Sequence, residues 1–119
     1  IDDELIDELK AVNEEIGLIA AGQTLSTGYI DLNTKFHGLI MSRGGNSKAI
    51  ELYRYYHMLI RALRKSYMPS IVRVQAVYSE HAELIAALEN KDALAIKAVV
   101  DKHVGHAMEN FLKVYAGQL

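Results

Sequence analysis

Five histidines stand at positions 37, 57, 81, 103 and 106 of the 119-residue chain, and three of them interrupt helical stripes of apolar residues. His81 falls on the stripe Val74, Val77 or Tyr78, His81, Ile85, Leu88. His103 falls on the stripe Ile96, Val99, Val100, His103, Ala107, Phe111, Val114. Both occupy positions where the helical period calls for a hydrophobe. His37 follows Asn33 by four residues and Ile30 by seven, with Phe36 and Ile40 beside it, which places it on the core edge of its helix. A single histidine on such a stripe is ordinarily a core residue satisfied by hydrogen bonds. Three on three helices are costly to bury unless each imidazole finds partners, and a shared divalent cation would satisfy all three together. Asn33 and His37 have the spacing that lets two side chains of one helix reach the same ion. The spacing alone leaves both readings open. His57 lies on the inward stripe of its own helix without a spacing that demands ligation, and His106, three after His103, reads as a surface residue or one flanking the site.

Other chemistries lack their residues. There is no cysteine, which removes disulfides, thiolate metal sites and thiol nucleophiles. Neither the Glu-x-x-His pair of di-iron bundles nor the His-Glu-x-x-His of many zinc proteases occurs. Gly44-Gly45 is a helix break, Asp2-Asp3 and Glu14-Glu15 are solvated charges of an acidic helix, and the seven tyrosines, Tyr53, Tyr55 and Tyr56 among them, are core and interface fillers. No Ser-His-Asp arrangement follows from spacing. Half of the residues are apolar, 24% are charged and the net charge is −2, so the chain is neither disordered nor a globally basic nucleic-acid binder. Positive charge is nonetheless concentrated, with eight Lys or Arg and only Glu51 between Leu32 and Ser79. The bland reading is solvated helix faces; the sharper one is an anion-attracting section centred on Arg64, seven after His57 on a side that should face inward.

The elements that must position these residues are helical. One proline, Pro69, interrupts a chain rich in Ala, Leu, Ile, Glu and Lys, and alternating strand patterns are missing. Leu5, Leu9, Val12, Ile16 and Ile19 mark a first helix that Gly22 ends. A second runs from near Ser26 or Thr27 to Arg43. A third carries Ile50, Tyr53, His57, Ile60, Arg64 and Tyr67 and stops before Pro69. A fourth spans about Ser70 to Glu89, and Asp92 caps the last. The expected architecture is all-α, an antiparallel bundle of about five to six helices forming one domain over 1–119. No apolar run approaches the roughly 20 residues of a membrane span and no signal peptide opens the chain, so a cytoplasmic location is expected. The first residue, Ile1, suggests a piece of a longer protein.

Four segments together resemble the FCD domain, the C-terminal effector-binding domain of FadR-type regulators in the GntR family. Asp31-Leu32-Asn33-Thr34-Lys35-Phe36-His37 resembles the family's Asp/Asn-x-x-Phe-His signature. Ser42-Arg43-Gly44-Gly45-Asn46, followed by Ile50, resembles its Ser-Gly-Asn turn, here shifted or one residue longer. Glu80-His81 with Ile85, Ala86 and Leu88, then Asp92 and Ala95, resembles its Glu-His helix and Asp-capped last helix. His103-Val104 falls 22 residues after His81, where the family has its closing histidine. The likeness covers nearly the whole chain, with no counterpart to the family's first helix or to its DNA-reading winged helix-turn-helix.

The resemblance implies a helical sensing domain that binds a divalent metal inside the bundle, a small carboxylate or sugar-acid effector beside it, and a second copy of itself. It places the metal ligands on Asn33, His37, His81 and His103, with Asn33 where the family more commonly has Asp. Three neutral imidazoles and a neutral amide would leave a divalent ion uncompensated, a charge that an anionic effector would relieve. Arg64, with His57 and Tyr67, is the expected effector-binding set. His-rich ligation suits zinc or nickel, with manganese next, better than magnesium or calcium. The expected function is ligand sensing in a bacterial transcription regulator, without enzymatic activity, contacting DNA only through a domain absent from this chain. The competing readings are a metal-dependent hydrolase or isomerase of small molecules, and a helical interaction module without metal. Against the first stands the lack of an inward carboxylate, Glu80 and Asp101 being roughly 100° or more off the ligand faces.

Overall fold

A computed structural model of the chain describes residues 2–22, 28–44 and 70–116. Among these residues there are four helices and no strand: α1 (Asp3–Ala20), α2 (Gly28–Gly44), α3 (Ile71–Glu89) and α4 (Ala93–Ala116). The all-α expectation holds. The count is below the five to six expected, and the expected helix carrying Ile50 to Tyr67 lies outside the described residues.

Each start has a local cause. Asp2 accepts a hydrogen bond from the Leu5 amide at 2.9 Å, while Asp3 and Glu4 set negative charge against the positive end of α1. Ser70 accepts from the Arg73 amide at 3.1 Å and Asp92 from the Ala95 amide at 3.1 Å, so α3 and α4 begin where the sequence signals them. Gly22, with φ at +99°, turns the chain out of α1 in a conformation that a Cβ would penalise.

Helix α1 packs on both α2 and α3, and α4 packs on α3. The pairs run antiparallel. Arg43 at the end of α2 meets Asp2 and Glu8 at 3.2 and 3.5 Å, and Lys10 meets Glu89 at 3.3 Å, while the Gln75 amide near the start of α3 donates to the Ala20 carbonyl at the end of α1. The exposed ion pairs mark register and contribute little, about 0–1 kcal/mol each. Adhesion comes from a buried cluster of Leu5, Leu9, Val12 and Ile16 from α1, Ile30 and Phe36 from α2, and Val74, Val77, Leu84, Ile85 and Leu88 from α3. Each such side chain contributes roughly 1.5–3 kcal/mol on leaving water. Val100, expected on the inward stripe of α4, is instead exposed, because it lies a hundred degrees from Val99 and the packed face runs through Ile96, Val99 and His103. No helix among the described residues is long and apolar enough to cross a membrane.

Gly17 lets α1 close onto α3: a Cβ there would sit 2.8 Å from Cε1 of Tyr78. Gly17→Ala gains up to about 1 kcal/mol of helix propensity but overpacks against the ring at a cost of about 1–3 kcal/mol. Net destabilisation of about 1 kcal/mol is expected in urea unfolding, and Gly17→Ala placed in a Tyr78→Ala background should be stabilising. An unchanged sign in both backgrounds would show that the ring does not press on this site.

Candidate metal centre

The three stripe histidines meet. His37 from α2, His81 from α3 and His103 from α4 bring ring nitrogens within 4.8 Å of one another, and their ring centroids are 5.0 to 5.2 Å apart. His81 is 0% exposed and His103 is buried, while His37 is half-buried at the cluster's edge. Nε2 of His37 and Nε2 of His103 lie 3.1 Å apart. Two nitrogens bound to one ion at about 2.0–2.1 Å, at angles between octahedral and tetrahedral, are about 2.8–3.4 Å apart. The pair therefore has the separation of neighbouring ligands. Phe36 stacks on His81 with centroids 3.8 Å apart and planes within 1°, fixing the imidazole plane from the apolar side.

Hydrogen bonds behind the rings decide which nitrogen faces the cluster. Asn13 on α1 donates from Nδ2 to the Tyr78 carbonyl at 3.1 Å, which turns its Oδ1 toward Nδ1 of His81 at 3.2 Å. An amide oxygen only accepts, so Nδ1 of His81 carries the proton and Nε2 is a bare lone pair. That Nε2 is buried with no hydrogen-bond partner, as is Oδ1 of Asn33. Buried polar atoms without partners are rare and costly, and here the two are a nitrogen and an oxygen of the types that ligate first-row metals. The donor set fits a divalent cation.

Glu80 supports the other side. Its Oε1 lies 2.6 Å from Nδ1 of His103 and its Oε2 2.7 Å from Nδ1 of His106, with the Arg73 guanidinium 3.5 Å from Oε1. Burial alone would push the Glu80 carboxyl up; hydrogen bonds from His106 and His103 and the charge of Arg73 outweigh it and hold the group below the usual carboxylate range. His103 stays neutral because burial outweighs the attraction of Glu80. Burial, reinforced by His37, His103 and Arg73, pushes His81 far below the ordinary imidazole value. His81 and His103 are thus held as neutral imidazoles, backed by the Glu80–Arg73 ion pair.

The expectation that Glu80 turns away from the cluster is overturned. It is buried, because α4 covers the flank of α3 next to the His81 face, and two imidazoles and a guanidinium compensate its charge. Both oxygens are engaged by imidazole Nδ1 atoms, so neither is free to act as a base on a water in the cluster. Asp101, by contrast, is exposed and paired with Lys97. His106 bonds Glu80 while its side chain is 47% exposed, so it both flanks the site and reaches the surface. Asp31 is exposed, as its offset from Asn33 requires. Among the described residues the buried arginine is Arg73; Arg64, His57 and Tyr67 lie outside them.

An antiparallel helical bundle with three central imidazoles able to share one ion defines the class, an all-α domain built around a candidate cation site. The family model described as FCD domain matches residues 1–106, and the chain belongs to that family. FCD domains are effector-binding domains of GntR-type regulators and are typically regulatory rather than catalytic. No curated protein and no solved structure gives a significant match to the chain.

Proposed function

We propose that the chain is the ligand-sensing domain of a GntR/FadR-type bacterial transcription regulator, taking a divalent cation on Asn33, His37, His81 and His103 and a small carboxylate or sugar acid beside it. The observation that carries this reading is the convergence of His37, His81 and His103, with Nε2 of His81 buried without a partner; Oδ1 of Asn33, one turn before His37 on α2, is a second buried atom without a partner. Neutral imidazole and amide donors favour zinc or nickel, with manganese next. When bound, the ion supplies positive charge and open positions for an anionic oxygen.

The surrounding charges make an anion useful. Glu80 is offset by Arg73 at 3.5 Å, so this pair brings no net negative charge to the cluster, and burying an uncompensated divalent charge is expensive. An effector carboxylate supplies the missing charge, with Arg64, His57 and Tyr67 proposed to hold its other end. Occupancy shifts the domain between states that place DNA-reading domains of a homodimer differently.

Calorimetry on EDTA-treated, dialysed protein tests this. Near-stoichiometric zinc or nickel binding is expected, tighter by at least severalfold in succinate or gluconate than in chloride. At a free concentration of 100 times Kd, the ion should add about 2.7 kcal/mol to stability. Equal metal affinity with and without every carboxylate tried would remove the effector coupling, and no binding of zinc, nickel or manganese would remove the cation site.

A further inference from the structure

We infer that Asn13, on the one described helix that carries none of the proposed ligands or their flanking imidazole, is a positioning residue of the cation site: it fixes His81 as the tautomer with its proton on Nδ1 and its lone pair on Nε2. The inference rests on the cation reading above and deepens it. The Tyr78 carbonyl cannot donate, so the Asn13 atom 3.1 Å from it is the amide nitrogen, and the atom 3.2 Å from His81 is the amide oxygen. Only a protonated Nδ1 can satisfy that oxygen. Nε2 is thereby left as a lone pair, buried and facing no partner.

Asn13 is itself 5% exposed and buried between Leu9, Val12 and Ile16 of the core face of α1. A buried amide there is expensive unless both ends are used, and both are: one end is tied to the α3 backbone and the other to the α3 imidazole. Docking of α1 on α3 and presentation of the His81 lone pair are therefore one event. Without the amide oxygen, no acceptor holds the proton on Nδ1, and it can move to Nε2, the nitrogen needed for ligation. Outer partners of ligating histidines typically tune metal affinity ten- to a hundredfold.

The test uses metal-free full chain and ¹⁵N-labelled histidine. In the parent, the nitrogen shifts of His81 are expected to report a proton on Nδ1 at pH 7.5. Asn13→Leu should shift the population toward a proton on Nε2 and weaken zinc binding roughly ten- to a hundredfold. Asn13→Asp, which keeps an acceptor oxygen, should retain the Nδ1 proton and bind zinc more tightly than Asn13→Leu; it also serves if the leucine variant does not fold. A parent His81 protonated on Nε2, or variants that change neither tautomer nor zinc affinity, overturns the inference while leaving the cation reading standing. A parent that carries the expected tautomer and takes up no zinc overturns the cation reading, and the positioning role falls with it.

Discussion

His81→Leu is expected to abolish cation uptake while leaving the metal-free protein within about 1 kcal/mol of the parent's stability. The two outcomes have separate causes. Loss of cation follows from loss of a proposed ligand that is fully buried, stacked on Phe36 and beside the imidazoles of His37 and His103. The stability of the metal-free form reflects two cancelling effects. Nε2 of His81 is a buried polar atom without a partner, and replacing it by carbon removes a penalty of about 1–3 kcal/mol. Against that, Oδ1 of Asn13 loses its hydrogen bond to Nδ1 and is left unsatisfied, a penalty of similar size, and the stack on Phe36 is exchanged for aliphatic contact. Leucine fills most of the imidazole's volume, so the large cavity term of an alanine variant is avoided. In zinc at 100 times Kd the parent alone gains about 2.7 kcal/mol, which for a domain of this size separates the two melting temperatures by roughly 10 °C. Urea unfolding in EDTA and zinc content after dialysis measure both effects. A leucine variant that still holds one zinc per chain would show that His81 is a packing residue.

Much of this arrangement was open to reading in the residues. The stripe Leu5, Leu9, Val12, Ile16 appears as the buried face of α1, and Ser70 and Asp92 cap the helices they precede. The three histidines that replace hydrophobes on their stripes are the three that converge. The misses share a physical cause: a residue beside a stripe is buried only if another helix covers that flank, and coverage is decided by tertiary packing. The angular offset of Glu80 from the His81 stripe misleads for that reason, although Arg73, Val77, Glu80 and Leu84 are spaced four, three and four apart, a second inward stripe with opposite charges seven residues apart. Asn13 was similarly visible, four after Leu9 and three before Ile16, as a polar residue on an apolar face. Val100 erred in the other direction, since adjacent residues cannot share one narrow face. What the residues could not give is the direction of a proton. The tautomer of His81 depends on an amide 68 positions away in the chain.

Without metal, stability is expected to fall steeply as pH drops below the ordinary imidazole value of 6.5. His81 and His103 both titrate lower in the folded protein than in the unfolded chain, because burial disfavours the imidazolium. Below 6.5 the unfolded chain therefore binds protons that the folded protein refuses, and stability rises with pH through that window and levels off above it. A group whose folded value lies far below the window gives a slope of about 1.4 kcal/mol per pH unit; His81 supplies this, and His103 adds to it down to its own lowered value. Between pH 6.5 and 4.5 His81 alone removes about 2–3 kcal/mol, a sizeable part of the whole stability of a small domain, about 5–15 kcal/mol. Glu80 acts in the same direction further down: its lowered carboxyl contributes stability above the unfolded carboxylate value and loses it as pH falls through the folded one. Zinc should lift the curve most at pH 7 and above and least in acid, since zinc and protons compete for the same nitrogen lone pairs. Urea midpoints from pH 4.5 to 8, taken in EDTA and in zinc, test each part. His81→Leu should reduce the slope in EDTA by removing the imidazole that supplies most of it, and a parent whose stability is flat between pH 5 and 7 would mean that the cluster is already protonated or already hydrated when folded.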